Sequence, residues 1–326
     1  MTEIYVESEF APLKRVVLAQ SEFCFPEETA DELDTSFLTA ENAALSKRSA
    51  GLDLREADPD LQQRWEQEKV EMAALLTSYG VEVLRPRLLT EHEKEEGRRS
   101  KVGYSNFFSR DPFFTIGPVI IEGNLQFSHR RKEILPLRPL LKEAVSAAKD
   151  CWYLAAPQPD TSAGEQGEAG PFIEGGDVLV LGKTVFVGYS GLASNLEGIH
   201  WLSQLMHHFG YEVVPVRLHP HILHLDCALS LIRPGLAIIC REAFLDGVPE
   251  QLADWQLIEV SLEEAALLMT NGLPVTEEVY ITDSAFSRIV NQLKGEGIKV
   301  ETIDYRVSRI FGGSFRCTTQ PLLRQY

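Results

Sequence analysis

One pattern constrains this chain more than any other: two short apolar runs joined by a turn, then an amphipathic segment, then one more strand-like run. Residues 111–122 read DPFFTIGPVIIE and turn at Gly117-Pro118; residues 176–189 read GDVLVLGKTVFVGY and turn at Gly182-Lys183. Residues 227–241 read CALSLIRPGLAIICR and turn at Arg233-Pro234-Gly235. Val, Ile and Phe fill the runs and turn residues bound them, which predicts β-hairpins. Residues 195–209 then place Leu196, Ile199, Leu202, Leu205 and Met206 on one helical face, and residues 284–296 do the same with Phe286, Ile289, Val290 and Leu293. YEVVPV follows the first of these helices and IKVETI the second, while LKRVVLA, residues 61–79 and VEVLRP give strand, helix and strand near the N-terminus.

The unit is therefore hairpin, helix, strand, repeated about five times at unequal spacing. Such a unit cannot bury a face by itself and must stack on its neighbours. With so few units and no visible capping repeat, a closed ring is favoured over an open solenoid. A doubly wound parallel sheet would show strict strand–helix alternation instead of hairpins. Three segments stand outside the repeat. Residues 22–60 read as acidic and irregular, and 91–101 (EHEKEEGRRSK) as a solvated face. Residues 157–171 (PQPDTSAGEQGEAGP) read as a loop, either a solvated connector or a mobile lid.

Composition narrows the function classes. The 326 residues include 31 Lys+Arg and 48 Asp+Glu, a net charge of −17, which opposes nucleic acid and anionic membrane as partners. No apolar run approaches the roughly 20 residues that span a bilayer, and MTEIYVESEF lacks the features of a secretory signal. The five cysteines (Cys24, Cys151, Cys227, Cys240, Cys317) are odd in number and form no CxxC pair, so neither disulfides nor structural zinc are expected. A cytoplasmic location with reduced thiols follows as the expectation.

Polar residues recur at the entry to the first strand of each hairpin. Arg110-Asp111 stand at one, Glu174-Gly175-Gly176-Asp177 at the next, and His224-Leu225-Asp226 at a third; Gly312 to Cys317 (GGSFRC) precede the last strand. In a closed ring these entries converge, bringing carboxylates, one imidazole and one thiol into a single pocket. Several carboxylates would destabilise the oxyanion of acyl transfer, so a cysteine amidase or peptidase fits poorly. They suit a planar cation, because a guanidinium offers a fork of donors that two carboxylates can engage. Cys24, Cys151, Cys227 and Cys240 read as structural thiols. The run HPHILHLD lacks standard zinc spacing, so no metal is expected there.

The motifs PLKRVVLA, SRDP, IEGGD, HLD and GGSFRCTTQPL, in this order from about residue 7 to 324, resemble the guanidino-modifying (pentein) superfamily. It includes arginine deiminases, dimethylarginine dimethylaminohydrolases and amidinotransferases. The resemblance implies an α/β fold, a five-bladed pseudo-symmetric propeller of ββαβ units, as one catalytic domain over residues 1–326. It implies that Cys317 attacks the guanidinium carbon to give a covalent amidino intermediate. His224 would protonate the departing amine and then activate water or an acceptor amine, Glu174 would orient His224, and Asp111 and Asp226 would hold the guanidinium nitrogens. Asp177 is expected to be structural, and Arg241 and Arg316 are candidates for binding the rest of the substrate. No cofactor is implied; the partner is a small cationic guanidino substrate, and the expected assembly is a homodimer.

Two departures bear on the reaction. Leu192 and Ala193 stand where arginine deiminases carry a carboxylate-gripping Arg, and the chain has no room for their extra helical domain. SNLEGIHWL, the RPG turn and GGSF are closer to amidinotransferases, whereas EGGD and the Arg316-Cys317 pair are closer to the hydrolases. Hydrolysis is slightly preferred, with amidino transfer to an amine as the alternative. A non-catalytic binding protein of the same fold is the reading from another class, and the retained Cys/His/carboxylate set opposes it.

Overall fold

The computed structural model describes residues 3–27, 39–160, 162 and 169–326. Each hairpin read from the sequence forms, and each gains a third strand. Phe113–Ile116 pairs antiparallel with Val119–Glu122, which pairs parallel with Trp152–Ala155. The same arrangement joins Val178–Leu181, Thr184–Tyr189 and Glu212–Arg217. It recurs in Leu229–Arg233, Leu236–Ile239 and Gln256–Glu259, and in Leu273–Thr276, Val279–Asp283 and Lys299–Ile303.

The fifth three-stranded sheet unites the two ends of the chain. Leu13–Leu18 pairs antiparallel with Thr319–Arg324 (Val17 opposite Gln320) and parallel with Glu82–Leu84 (Val16 opposite Val83). The hairpin of this unit is thus assembled from the first and last long strands, which is why no local turn announces it. A parallel third strand cannot be reached by a tight turn and needs a crossover. The helices Pro59–Ser78, Arg138–Ala147, Leu196–His207 and Ser287–Gly295 supply four of the five crossovers. In the fifth, Pro249 and Gly247 interrupt any longer helix, and the 3₁₀ turns Arg241–Ala243 and Glu250–Leu252 replace it.

Burial follows position in the sheet. The hairpin strands Phe113–Ile116, Val119–Glu122 and Leu236–Ile239 are buried throughout, as runs covered on both faces must be. The third strands Trp152–Ala155 and Gln256–Glu259 are partly exposed. Residues 22–60 are more ordered than their composition suggested. Glu22–Cys24 pairs with Tyr104–Asn106, and Ala40–Arg48 and Leu54–Ala57 are helices, with residues 28–38 lying outside the described residues. Several of the polar residues there are caps: Thr39, Asp53 and Asp58 each accept a backbone N–H at a helix start. Residues 91–101 contain the surface helix Glu91–Arg99, closed by a Thr90/Glu93 capping box. The lid expectation for 157–171 rests largely on residue 161 and residues 163–168, outside the described residues. Among the described residues no helix is long and apolar enough to cross a membrane.

Candidate active site

The entries to the hairpins are where the sequence reading located its chemistry, and they share a local form. Gly175–Asp177 and Leu225–Cys227 are both single 3₁₀ turns, standing one or two residues ahead of the strands Val178–Leu181 and Leu229–Arg233. Each turn fixes the residue before it in extended backbone, Glu174 in one case and His224 in the other. The two turns place these side chains in contact: His224 Nε2 lies 2.9 Å from Glu174 Oε2, and His224 Nδ1 lies 3.7 Å from Asp111 Oδ1. All three residues are buried.

The imidazole is held between charges. Burial opposes its ionisation, but Asp111 and Glu174, with Asp177 adding, hold the His224 pKa well above the ordinary histidine value. Asp111 is held below its usual range in spite of burial, chiefly by His224 and by Arg130. Arg130 Nη2 donates to Asp111 Oδ2 at 2.8 Å and to Glu133 Oε2 at 2.8 Å, and Arg130 Nη1 lies 3.6 Å from Glu174 Oε2. Asp111 Oδ1 is buried and has no hydrogen-bond partner among the described residues.

The thiol sits against the other carboxylate of the same turn. Cys317 Sγ is 3.8 Å from Asp226 Oδ2 and 4.0 Å from Oδ1. Its backbone N–H donates to Asn271 Oδ1 at 3.1 Å, while Asn271 Nδ2 donates to the Asp226 carbonyl at 3.3 Å. Asn271 thereby ties the two segments together. The Cys317 carbonyl accepts from the Arg110 N–H at 3.2 Å, which brings Asp111 alongside. Gly313 allows the close approach of the preceding loop, since a Cβ there would lie 2.1 Å from Phe108 Cε1 and 2.9 Å from Cys317 Cβ.

Asp177 turns its carboxylate to neighbouring backbone. Its Oδ1 accepts from the Leu225 N–H at 3.0 Å and its Oδ2 from the Ser194 N–H at 3.1 Å. Burial raises its pKa to about 7. It thus links its own 3₁₀ turn to that of Asp226 and to the loop holding Leu192 and Ala193, which pack with Leu223 and Phe127.

Two expected substrate-binding cations take other places. Arg316 is buried and directs its guanidinium inward, to Asp226 Oδ2 (2.9 Å), to both carboxylate oxygens of Glu9 (3.1 and 3.2 Å) and to the Val178 carbonyl (2.9 Å). Arg241 is exposed and pairs with the exposed Glu259 at 2.6 Å, with no described contact to the cluster. Sequence reasoning missed Arg130, Glu133, Glu9 and Asn271, and it classed Cys227 as structural although its Sγ lies 3.6 Å from Asp226 Oδ1. One signal was available: HRRKE, after the hairpin that SRDP opens, carries paired basic and acidic residues.

Asp111, Glu174 and His224 offer atoms within 4.8 Å of one another, a spacing that suits a metal as well as an organic cation. Arg130 already stands against two of the three, and its positive charge opposes a further cation at Asp111 Oδ2 and Glu174 Oε2.

The family model for N,N dimethylarginine dimethylhydrolase, eukaryotic, matches residues 32–324. The chain belongs to this family. With it comes membership of the pentein superfamily, and the chain is an enzyme of the amidinotransferase or the dimethylarginine-hydrolase kind. The uncharacterized protein YkgA of Bacillus subtilis (strain 168) is 35% identical over 153 residues, which are 47% of this chain and 52% of that protein, so the match spans about half its length. Inosamine-phosphate amidinotransferase 1 of Streptomyces griseus is 26% identical over 287 residues, covering 79% of this chain and 80% of that protein. Among solved structures, the amidinotransferase SxtG from Microseira wollei superposes with a TM-score of 0.79 at 20% identity, covering 99% of this chain and 98% of that one. The dimethylarginine dimethylaminohydrolase from Pseudomonas aeruginosa superposes with a TM-score of 0.65 at 19% identity, covering 95% and 99%. These likenesses establish an α/β fold shared with pentein amidinotransferases.

Proposed function

We propose that this enzyme cleaves a C–N bond of arginine or an arginine-like guanidino compound through a covalent intermediate on Cys317. The observation that carries this reading is the buried Asp111 Oδ1, which has no hydrogen-bond partner among the described residues and lies 3.7 Å from His224 Nδ1. A buried carboxylate oxygen left unpaired costs several kcal/mol unless a donor arrives. A substrate guanidinium supplies such donors, and Asp226, beside the Cys317 sulfur, takes the opposite edge of the same planar group.

The chemistry then follows from the charges. Cys317 gives up its thiol proton to solvent and its Sγ forms a bond to the guanidinium carbon, while His224, kept protonated by Asp111 and Glu174, gives its proton to the departing amine as that C–N bond breaks. The neutral imidazole next takes a proton from water, whose oxygen attacks the amidino carbon. The C–S bond breaks with its electron pair on sulfur, the product's hydroxyl proton passes to that sulfur, and a ureido product leaves the free thiol. Hydrolysis is preferred because the matching family model is that of dimethylarginine hydrolases. Amidino transfer is the second reading, favoured by amidinotransferase relatives that match over nearly four-fifths of this chain, at 79% and 78%. An amine would then replace water in the second half of the reaction.

The five three-stranded sheets are read as the blades of one closed ring, its first and last long strands paired, so that residues 1–326 act as a single catalytic unit. The residues named need no cofactor.

A panel of guanidines, assayed with and without acceptor amines, tests the reading. Ureido product without added amine is the expected result, together with an amidino adduct on Cys317 detected by mass spectrometry. Transferred amidine that appears only with an amine would select the second reading. Turnover unchanged in Cys317→Ala, or none by the parent on any guanidine, would overturn both.

A further inference from the structure

A second buried charged cluster lies behind the site, and the reaction proposed above leaves it without a role. On the helix Pro59–Ser78, Trp65, Glu68, Lys69 and Met72 fall on one face, and all four are buried. Two buried ionisable side chains are costly to desolvate, and apolar side chains of similar volume are often no less stabilising. Stability therefore does not explain its presence on an apolar stripe.

Its hydrogen bonds point to another reason. Glu68 accepts from the Val307 N–H (2.6 Å), the Ser308 N–H (3.0 Å) and the Ser308 hydroxyl (2.7 Å). Lys69 Nζ donates to Ser308 Oγ at 2.6 Å and to Tyr305 Oη at 2.9 Å. Among the described residues, every hydrogen bond of these two side chains goes to residues 305–308, at the start of the segment that leads to Cys317. Trp65 joins them, donating to Ser308 Oγ at 3.1 Å and stacking on Phe311 at 4.4 Å between ring centroids.

From Tyr305 the connection continues to the thiol's own turn. Tyr305 Oη is 3.1 Å from Thr318 Oγ1, and Thr318 Oγ1 donates to the Phe315 carbonyl at 3.2 Å. Thr318 has one hydroxyl proton, and the Phe315 carbonyl takes it. Tyr305 therefore accepts from Lys69 and donates to Thr318, whose own proton goes to Phe315. The chain Lys69, Tyr305, Thr318, Phe315 has one sense from end to end. The Tyr305 ring also stacks on Phe315, with centroids 4.3 Å apart and planes within 20°. Phe315 and Thr318 bracket Arg316, which clamps Asp226, and Cys317.

We infer that Glu68 and Lys69 are positioning residues for Cys317, acting through Tyr305 and Thr318 on the turn at residues 315–318. The inference rests on the reading of Cys317 as nucleophile. Small displacements of a nucleophile are expensive in rate and nearly silent in substrate binding.

The test compares Lys69→Met, Tyr305→Phe and the double variant with the parent. It follows kcat, KM and amide hydrogen exchange over residues 311–318. Each single variant is expected to lose about tenfold to a hundredfold in kcat with KM little changed, and to exchange faster at 314–318. In the double variant the losses should fall short of their product, because both changes cut one chain. Parental kcat and exchange in folded variants would overturn the inference, as would losses that multiply. Tyr305→Phe keeps the stacked ring and removes only the hydroxyl, so it carries the test if Lys69→Met does not fold. If the parent turns over no guanidine, the proposed function falls, while hydrogen exchange still decides whether the clamp exists.

Discussion

Gly176 stands between Glu174 and Asp177, and the side chain it lacks is what lets His224 and Asp111 close on one another. A Cβ at this position would lie 2.6 Å from His224 Cγ and Nδ1 and 2.8 Å from Asp111 Oδ1. Gly176→Ala should therefore move the imidazole off Glu174. The expected result is a fall in kcat of about a hundredfold with a stability loss of about 1–3 kcal/mol from overpacking, read by steady-state kinetics and urea unfolding. Parental kcat in the variant would show that the imidazole tolerates the shift. The EGGD motif was legible in the sequence as a functional cluster, and so was HLD. The charges that balance them were not. Asp111 and Asp226 appeared as surplus negative charge awaiting a cation, yet Arg130 and Arg316 each take one oxygen of these carboxylates. The oxygens these arginines leave are Asp111 Oδ1 and Asp226 Oδ1, the second 4.0 Å from the Cys317 sulfur. Arg316 was read as a candidate for binding the rest of the substrate, but neighbours on an extended or turning backbone point in different directions, and its guanidinium turns to Glu9 and Asp226.

At the level of elements, the helices were legible where their apolar faces were strong and hidden where capping did the work. Residues 195–209 and 284–296 showed their periodicity, and helices occupy Leu196–His207 and Ser287–Gly295 within them. The helices Ala40–Arg48 and Leu54–Ala57 have few buried residues and begin on capping side chains, which in composition look like an acidic loop. The Glu91–Arg99 helix is the extreme case, with only Gly97 buried and a complete capping box. That box, the Arg87–Glu93 ion pair at 2.6 Å and the Lys94–Glu22 pair at 3.2 Å hold it in place. Thr90→Ala should cost about 1 kcal/mol by removing the cap, measurable as a lower urea midpoint. Turnover should not change, because this helix makes no described contact with the Cys317 cluster; a loss of turnover would show that it supports the site after all. The Pro59–Ser78 helix is the opposite case. Residues 61–79 were read as a helix, but the reason for Glu68 and Lys69 on its buried face lies in residues 305–308.

For the molecule as a whole, the net charge of −17 takes on a more limited meaning. Many acidic groups lie on the surface and act at long range, whereas the buried carboxylates of the site are partly neutralised by their arginines. Steering of a cationic substrate should therefore be salt-dependent and confined to capture. Raising ionic strength from about 0.02 to 0.5 M, where the screening length falls to a few ångströms, should raise KM for a monocationic guanidine several-fold with little effect on kcat. A KM independent of salt would show that the long-range field contributes nothing. The repeat of hairpin, helix and strand could be read from the chain alone, because turns and the 2.0 and 3.6 periodicities are local properties of neighbouring residues. For the same reason the sequence by itself determined where the polar residues stand, at the entries to the hairpins. Tertiary structure alone decided that the first and last long strands share a sheet, and which charge answers which. Glu9 and Arg316 meet across 307 positions, and Lys69 and Tyr305 across 236. No local pattern encodes such a pair, because its geometry exists only after the packed elements have brought its members together.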